Sequence, residues 1–493
     1  MKNSTKSLSI LSGANILSQP AKTYFFFLLL SAVLSFLYLE IVLPGHVHFP
    51  LASDSYQYLK SYDSNFQSSG RWLNFLTFDL ISALPKRLAY YLDLLTTAVL
   101  WLCFLRPKRT IHHILLFSIL LLVILSSHIM FSVRFWPGGR IMTNLVALMA
   151  VLVIHSNIRL IVKLPLILLA VLAIGGGYQF HHMMLILAFI SASNSITFNW
   201  KSFVLITGLW IIGFVAAYIF ADLLVTLKFG EGRASIRGYR QLDSAGGHGV
   251  STLFSNVDVI SRSMFRSFFK TTSKYPIFYI GPFLMVIGAV IGIRHMSIPK
   301  DALYRVLWWT APILGIVVIL ALANHRFYAR LNLSSLIAIL LGLWIVSKES
   351  PMAMKTIMLG AFIYFIPQVI INRGQLKAID RGITHTLDRL VPIIEADTLD
   401  DQTQLIVFDL DQTLNFGEKN IGRFGRYFKD VLGVDRFVYC TSTGKRLCSR
   451  LDEATKIEIT RRVCSSPNHI YKETQRRQIL IYMFDQKTCE IGS

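Results

Sequence analysis

The chain has 493 residues, 53% of them hydrophobic and only 16% charged, with a formal net charge of +21. Soluble globular chains carry nearer 25% charged residues, and a mean hydropathy of +0.52 excludes that class. The apolar runs are solid, as in FFFLLLSAVLSFLYLEIVL, and lack the alternation of an outer-membrane β-barrel. What remains is an all-α polytopic membrane protein, because about 20 consecutive apolar residues cross a hydrocarbon core about 30 Å thick. The basic excess reads as residues flanking spans and facing anionic head groups. It does not read as a nucleic-acid surface.

Taken in order, residues 1–22 form a polar cytoplasmic N-terminus with Lys2, Lys6 and Lys22 and no cleavable signal peptide. Apolar runs at 23–45, 89–105, 111–131, 141–157, 160–175, 180–195, 203–227, 276–293, 305–323, 331–347 and 355–372 give about eleven expected spans. Short loops rich in Lys and Arg face the cytoplasm. They are RPKR at 106–109, Arg159 with Lys163, Lys201, Arg294 with Lys300 and Arg305, and Lys348 with Lys355. The long loops 46–88 and 228–275 then lie outside. An odd span count also places 373–493 outside, in the periplasm of a bacterial inner membrane.

Four of the five cysteines, Cys440, Cys448, Cys464 and Cys489, fall in that C-terminal region. Disulfides in an oxidising compartment account for them. Three pairings are open, and no C-x-x-C spacing supports zinc. The region 373–493 reads as a small α/β domain. Helices are expected at 375–394 and over GRFGRYFKDVLG, and strands over QLIVFDL, RFVYCTS and QILIYMF. VFDLDQTL at 407–414 has the form of the haloacid-dehalogenase motif, with Asp409 as nucleophile and Asp411 as acid. No later acidic pair follows for Mg²⁺, and the segment is short for that fold, so the match is read as coincidence.

Candidate chemistry lies on the outer side. In the first outer loop Asp54 is followed by Tyr56, Tyr58 and Lys60, and Asp63, Arg71 and Asp79 come after. An acid beside aromatic rings suits a general base toward a sugar hydroxyl, the rings lying along sugar faces. The alternative is a solvated loop acid. Asp93 sits just inside the second span, where an ionisable group is a functional candidate by default or faces water at the interface. SVRFWPGGR offers Arg134 and Arg140 as fork-shaped donors to phosphate, or as interfacial anchors. GGGYQFHHM puts His181 and His182 beside a glycine break, one of them facing a polar cavity or both structural. The segment SNVDVISRSMFRSFFKTTSKYP reads as an amphipathic interfacial helix, its basic side in water and its Phe and Ile in lipid. Lys270 and Lys274 close that segment, and Arg326 and Arg330 mark another outer span end. Few charges fall at span centres, which argues against an ion-coupled transporter.

The short N-terminus, the acid-bearing loop, SSGRWLNFLTFDLI followed by YYLDLLTTAVLW, PGGR, FFK with KYP, and the tail QLKAIDRGITHTLDRLVPII form a layout. It resembles the serotype-converting, Gtr-type O-antigen glucosyltransferases of the GT-C class. The resemblance implies a polyprenyl-phosphate glucose donor, a lipid-linked O-antigen acceptor and a small flippase supplying the donor. By that logic Asp54 is the base of an inverting displacement, with Asp63 and Asp93 behind it. Arg71, Arg134, Arg140 and Lys270 would meet the leaving phosphate. Tyr56, His181, His182, Lys274, Arg326 and Arg330 would complete the substrate site. Related proteins often pair acids in this loop, whereas Ser53 and Ser55 flank Asp54 here. Dependence on a divalent metal therefore stays open, and no metal-ligand set is read. An O-antigen polymerase and a non-enzymatic lipid-linked-sugar flippase are the competing readings.

Overall fold

The computed structural model describes residues 21–43, 63–105, 107–131, 140–156, 158–177, 181–192, 200–232, 250–269, 279–296, 310, 313–318, 320–321, 333–395, 404–409, 436–440, 453–466, 470–475, 478–483 and 489. The protein is mostly helical. It divides into two compact units, one holding the described residues up to Arg373 and the other those from Gly374 onward.

The first unit begins with α1 (Ala21–Val42). Three short helices follow in the first loop: α2 (Asp63–Ser69), α3 (Trp72–Leu76) and α4 (Phe78–Ser82). Then come α5 (Lys86–Phe104), α6 (Ile111–Ser126) and the four-residue α7 (His128–Phe131). Next are α8 (Ile141–His155), α9 (Leu160–Gly175), α10 (His182–Ala192) and α11 (Trp200–Phe229). Last come α12 (Val250–Phe269), α13 (Ile280–Arg294), α14 (Leu333–Ser347) and the 45-residue α15 (Pro351–Glu395), of which the part up to Arg373 belongs to this unit. Where the sequence suggested a final span and a separate tail helix, α15 is continuous. No residue between them breaks the i→i−4 ladder, because neither Asn372 nor Gly374 stops a long helix by itself.

Among the described residues, four helices are long and apolar enough to cross a membrane: Lys22–Val42, Arg87–Phe104, Trp210–Phe229 and Pro351–Lys377. Five shorter apolar helices accompany them. At about 1.5 Å per residue, a helix such as the 16-residue α6 covers about 24 Å, a little under the hydrocarbon thickness. Large apolar side chains stay exposed along α1 (Phe25, Leu29, Phe36) and α11 (Ile212, Ile219, Leu227). Such a surface is costly in water and costless in lipid.

Helix α8 is the hub, packing on α5, α9 and α10. Its far end is capped by Lys163 of α9, whose ammonium donates to the carbonyls of Ile154 (3.2 Å) and Ser156 (2.8 Å). A cation on orphan carbonyls is a favourable helix terminus. His155 Nε2 bridges to the Ala188 carbonyl of α10 at 2.9 Å. Buried Asn372 of α15 donates to the Ser126 carbonyl (2.8 Å) and to the Tyr38 hydroxyl (3.2 Å), joining α15 to α6 and α1. Such polar contacts hold helices together where lipid offers no hydrophobic drive.

The second unit contains β1 (Gln404–Asp409), β2 (Arg436–Cys440), α16 (Glu453–Cys464), β3 (Ile470–Gln475) and β4 (Gln478–Met483). The sheet order is β2-β1-β4-β3. β1 runs parallel to β2 and β4, and β3 closes the edge antiparallel to β4. The three expected strands are all present, and β3 and α16 are additions. IYKETQ is polar enough to hide an edge strand. In α16, Ile459 and Val463 bury a four-residue repeat inside a segment of Glu, Lys and Arg. Asp409 ends β1, and Asp411 lies outside the described residues, as does GRFGRYFKDVLG.

The core of this unit gathers Phe408, Ile459, Val463, Leu480, Tyr482 and Cys489. The Tyr482 ring stacks on Phe408 at 4.8 Å. Burial, then the nearby Glu473 carboxylate and Tyr471, push the Tyr482 phenol up to about 12. A raised folded-state pKa means the contribution is whole below the ordinary value of about 10. It is then lost as pH rises through that value toward 12, because the unfolded chain ionises first. The expected result is a melting temperature that falls across that alkaline window. Tyr482→Phe should flatten the fall, as followed by circular dichroism beside a phenolate absorbance titration.

Candidate functional site

One end of the first unit gathers segments that are far apart in sequence. The first of them is the loop preceding α5. Asp63 opens α2, and its carboxylate pairs with the Lys228 ammonium at 2.8 Å. Lys228 also sits 3.7 Å from the Phe75 ring centroid. Phe66 stacks on Phe75 at 5.0 Å and meets Phe229 edge-on. The end of α11 is thus clasped by α2 and α3, a cation over aromatic faces adding to apolar burial.

Next comes the glycine break. The Gly176 carbonyl accepts from the Leu73 amide at 2.8 Å. A Cβ added at Gly176 would stand 2.4 Å from Trp72 ring atoms, and one at Gly177 would stand 2.1 Å from Thr143 Oγ1. A Cβ at Gly175 would stand 2.5 Å from Ala217 Cβ, so the run 175–177 is glycine because α11, the loop's tryptophan and α8 each press against its backbone. The break is a packing seam where the end of α9 meets α3, α8 and α11.

Beyond the seam lies a buried polar network. Arg140, the residue before α8, reaches Asp93 of α5 with Nε at 3.2 Å from Oδ1 and Nη2 at 2.6 Å from Oδ2. Both side chains are fully buried. Nη2 also lies 3.0 Å from Met130 Sδ. Asn144 Nδ2 donates to Thr96 and Thr97, each at 3.1 Å, and lies 3.4 Å from Asp93 Oδ1. Its carbonyl oxygen accepts from His181 Nε2 at 2.9 Å. Since Asn144 spends its amino group on the threonines and the carboxylate, the network assigns the proton to His181 Nε2. His182 turns the other way, edge-on to Phe214.

Three expectations are corrected by this arrangement. Arg140 does not clamp a phosphate: a guanidinium at the positive end of a helix needs a counter-charge, and Asp93 supplies it bidentately inside the bundle. Asp93 is not an interfacial acid in contact with substrate, because its oxygens are held by Arg140 and Asn144 at zero exposure. His181 and His182, 2% and 1% exposed, are buried, the first against Asn144 and the second against Phe214. The adjacent pair does point to two different faces, as helical geometry requires.

Helix α12 is corrected in part. It carries three stripes. Asn256, Ile260 and Met264 face inward, where Ile260 and Met264 meet Met183, Ile186 and Val317 and Asn256 donates to the Ala321 carbonyl at 3.3 Å. Asp258, Arg262 and Arg266 are exposed, with Arg262 bidentate to Asp258. Ile260 therefore packs on protein, not lipid.

Arg71 is the residue that leads into α3, half-buried beside Trp72. Asp54, Tyr56, Arg134, Lys270, Lys274, Arg326 and Arg330 lie outside the described residues. Among the described residues no cluster of three or more His, Cys, Asp or Glu could hold a metal ion. Sequence reasoning missed Lys228 and Asn144. The signal for Asn144 was a polar residue one turn into an apolar helix, opposite an intramembrane acid. No known protein family, curated protein or solved structure matches the chain.

Proposed function

We propose that the protein is a membrane glycosyltransferase. It moves a sugar, glucose in the first instance, from a polyprenyl-phosphate donor to lipid-linked O-antigen at the periplasmic face of a bacterial inner membrane. The observation that carries this reading is convergence. Helices α2 and α3 of the first loop, the start of α8 at Arg140, the glycine break and the end of α11 are tied together at one end of the apolar bundle. Loops fixed on a rigid helical frame are the usual seat of a binding site.

In this scheme Asp54, on the sequence argument, takes the proton of the acceptor hydroxyl. That oxygen attacks the anomeric carbon from the face opposite the lipid phosphate. The carbon–oxygen bond to phosphate breaks and the configuration inverts. Arg71, Arg134 and Lys270 meet the negative charge that develops on the departing phosphate, and fixed cations lower that barrier. The buried Asp93–Arg140 pair acts from behind, holding the segment that leads into α8. Two lipid-borne reactants confined to one plane meet in restricted orientations, which supplies further rate.

The test uses membranes holding the full chain, a labelled polyprenyl-phosphate glucose and lipid-linked O-antigen. Wild type should label the glycan, and Asp54→Asn at matched expression should lose at least about 100-fold, the usual scale for a missing base. Label from both proteins moves the base to Asp63. No label from either, with polymer length changed instead, overturns the transferase and favours a polymerase. Donor translocation without label favours a flippase.

A further inference from the structure

The first unit has a second feature. A groove of about 640 Å³ runs between α12, α13, α14 and α15, inside the roughly 300–1,000 Å³ range of small-ligand sites. Met264, Phe265, Phe268, Met285, Ala289 and Val317 are among the side chains that line it. Its lining is almost wholly apolar. Tyr364 also borders it, but the Tyr364 hydroxyl is already used, donating to the Phe268 carbonyl at 2.6 Å. The groove therefore offers shape and apolar contact, and next to no hydrogen bonds. Phe265 and Val286 on its wall are 60% exposed, so it opens at the protein surface.

The helix along one wall decides what suits it. Ser261, Phe265 and Phe268 of α12 face the groove. The exposed stripe of the same helix holds Asp258, Arg262 and Arg266. Arg262 is neutralised by Asp258, which leaves Arg266 as the net positive charge among the described residues of α12, directly after Phe265 and two positions before Phe268. An apolar chain in the groove would thus end beside a cation at the wet edge of an amphipathic helix. No lining residue belongs to the network of Asp93, Arg140, Asn144 and His181 or to the Trp72–Gly176 seam.

We propose that this groove is a binding site for one acyl chain of an anionic glycerophospholipid, its phosphate held by Arg266. The chain supplies the apolar contact that the lining lacks, and the head group supplies the counter-charge. The ligand is a resident of the surrounding bilayer, so the proposal stands whether or not the protein transfers sugar.

The experiment uses the full-length protein, purified in mild detergent and delipidated. It is then offered phosphatidylglycerol, phosphatidylcholine or a polyprenyl monophosphate, and retained lipid is read by native mass spectrometry. Wild type should retain phosphatidylglycerol about tenfold better than phosphatidylcholine, ~1.4 kcal/mol. Ala289→Trp fills the groove and should abolish retention. Arg266→Gln should keep binding but bring the two phospholipids to parity. Elution profile and melting temperature check that each variant is folded. Phosphatidylglycerol with a photoactivatable chain, applied to wild type alone, should leave adducts on α12–α15, and this arm decides the matter if Ala289→Trp misfolds. Equal retention of the two phospholipids by wild type, unchanged retention by folded Ala289→Trp, or adducts elsewhere would overturn the proposal. Displacement of phosphatidylglycerol by the polyprenyl monophosphate would also overturn it, making an isoprenoid the occupant.

Discussion

Asp93→Ala should be among the most damaging single changes in the first unit, lowering stability by about 3–5 kcal/mol. The substitution leaves Arg140 charged at zero exposure, with Met130 Sδ as its remaining partner among the contacts described above. Asn144 loses its carboxylate neighbour as well, although the two threonines still accept from it. With native stabilities of about 5–15 kcal/mol, such a loss should appear as a sharp fall in the melting temperature of detergent-solubilised protein. Asp93→Asn should cost less, because the amide oxygen can still accept from the guanidinium. The decisive variant is the double replacement Asp93→Leu with Arg140→Met. Removing both charges for apolar groups of similar bulk is often neutral, so this protein should melt near wild type. If the double variant is as unstable as Asp93→Ala, the pair contributes more than mutual neutralisation, and the network built on Asn144 and His181 is the part that matters. If Asp93→Ala melts like wild type, Arg140 escapes to solvent and the buried pair is not maintained.

That pair also shows where reading the sequence stops. The apolar runs predicted helices, and where those runs are described the structure is helical, because a 3.6-residue frame filled with Leu, Ile, Val and Phe has few other ways to satisfy its backbone in lipid. The parallel strands of the second unit were legible as short β-branched runs ended by polar residues. Partnerships across the bundle were not. Asp93 and Arg140 each carried a signal, an acid in a span and a guanidinium at a helix start, but they are 47 positions apart. Each has a plausible solvent-facing reading when taken alone. The triple glycine announced an irregularity without saying that Trp72 would press on it. Composition said that α12 was amphipathic, and only packing could say that one apolar stripe meets Met183 and Val317 while the other walls a groove. Local pattern specifies the elements; charge pairing and close approach depend on which elements become neighbours.

The second large effect is expected in the C-terminal unit. Cys464, the last residue of α16, is bonded to Cys489, 25 positions further along the chain. This selects one pair from the possibilities open to Cys440, Cys448, Cys464 and Cys489, and the loop it closes contains β3 and β4. Cross-linking a loop of that length restricts the unfolded chain by about 3.5 kcal/mol on the chain-entropy account. Cys489 lies in the same apolar cluster as Phe408, Leu480 and Tyr482, so the bond pins the far end of the sheet's packing. Cys464→Ser with Cys489→Ser should therefore melt well below wild type, and limited proteolysis should reach the segment between them first. Reductant should reproduce the effect in wild type, and Cys103, a buried free thiol of the other unit, takes no part in it. The same pair reports on compartment. A disulfide persists where the surroundings are oxidising and is rare in a reducing cytosol. In intact cells a membrane-impermeant thiol reagent should label Cys464 and Cys489 only after an impermeant reductant has been added. Cytosolic exposure would instead leave both thiols free in the cell and beyond reach of either reagent until lysis, and the periplasmic placement of this unit would then have to be abandoned.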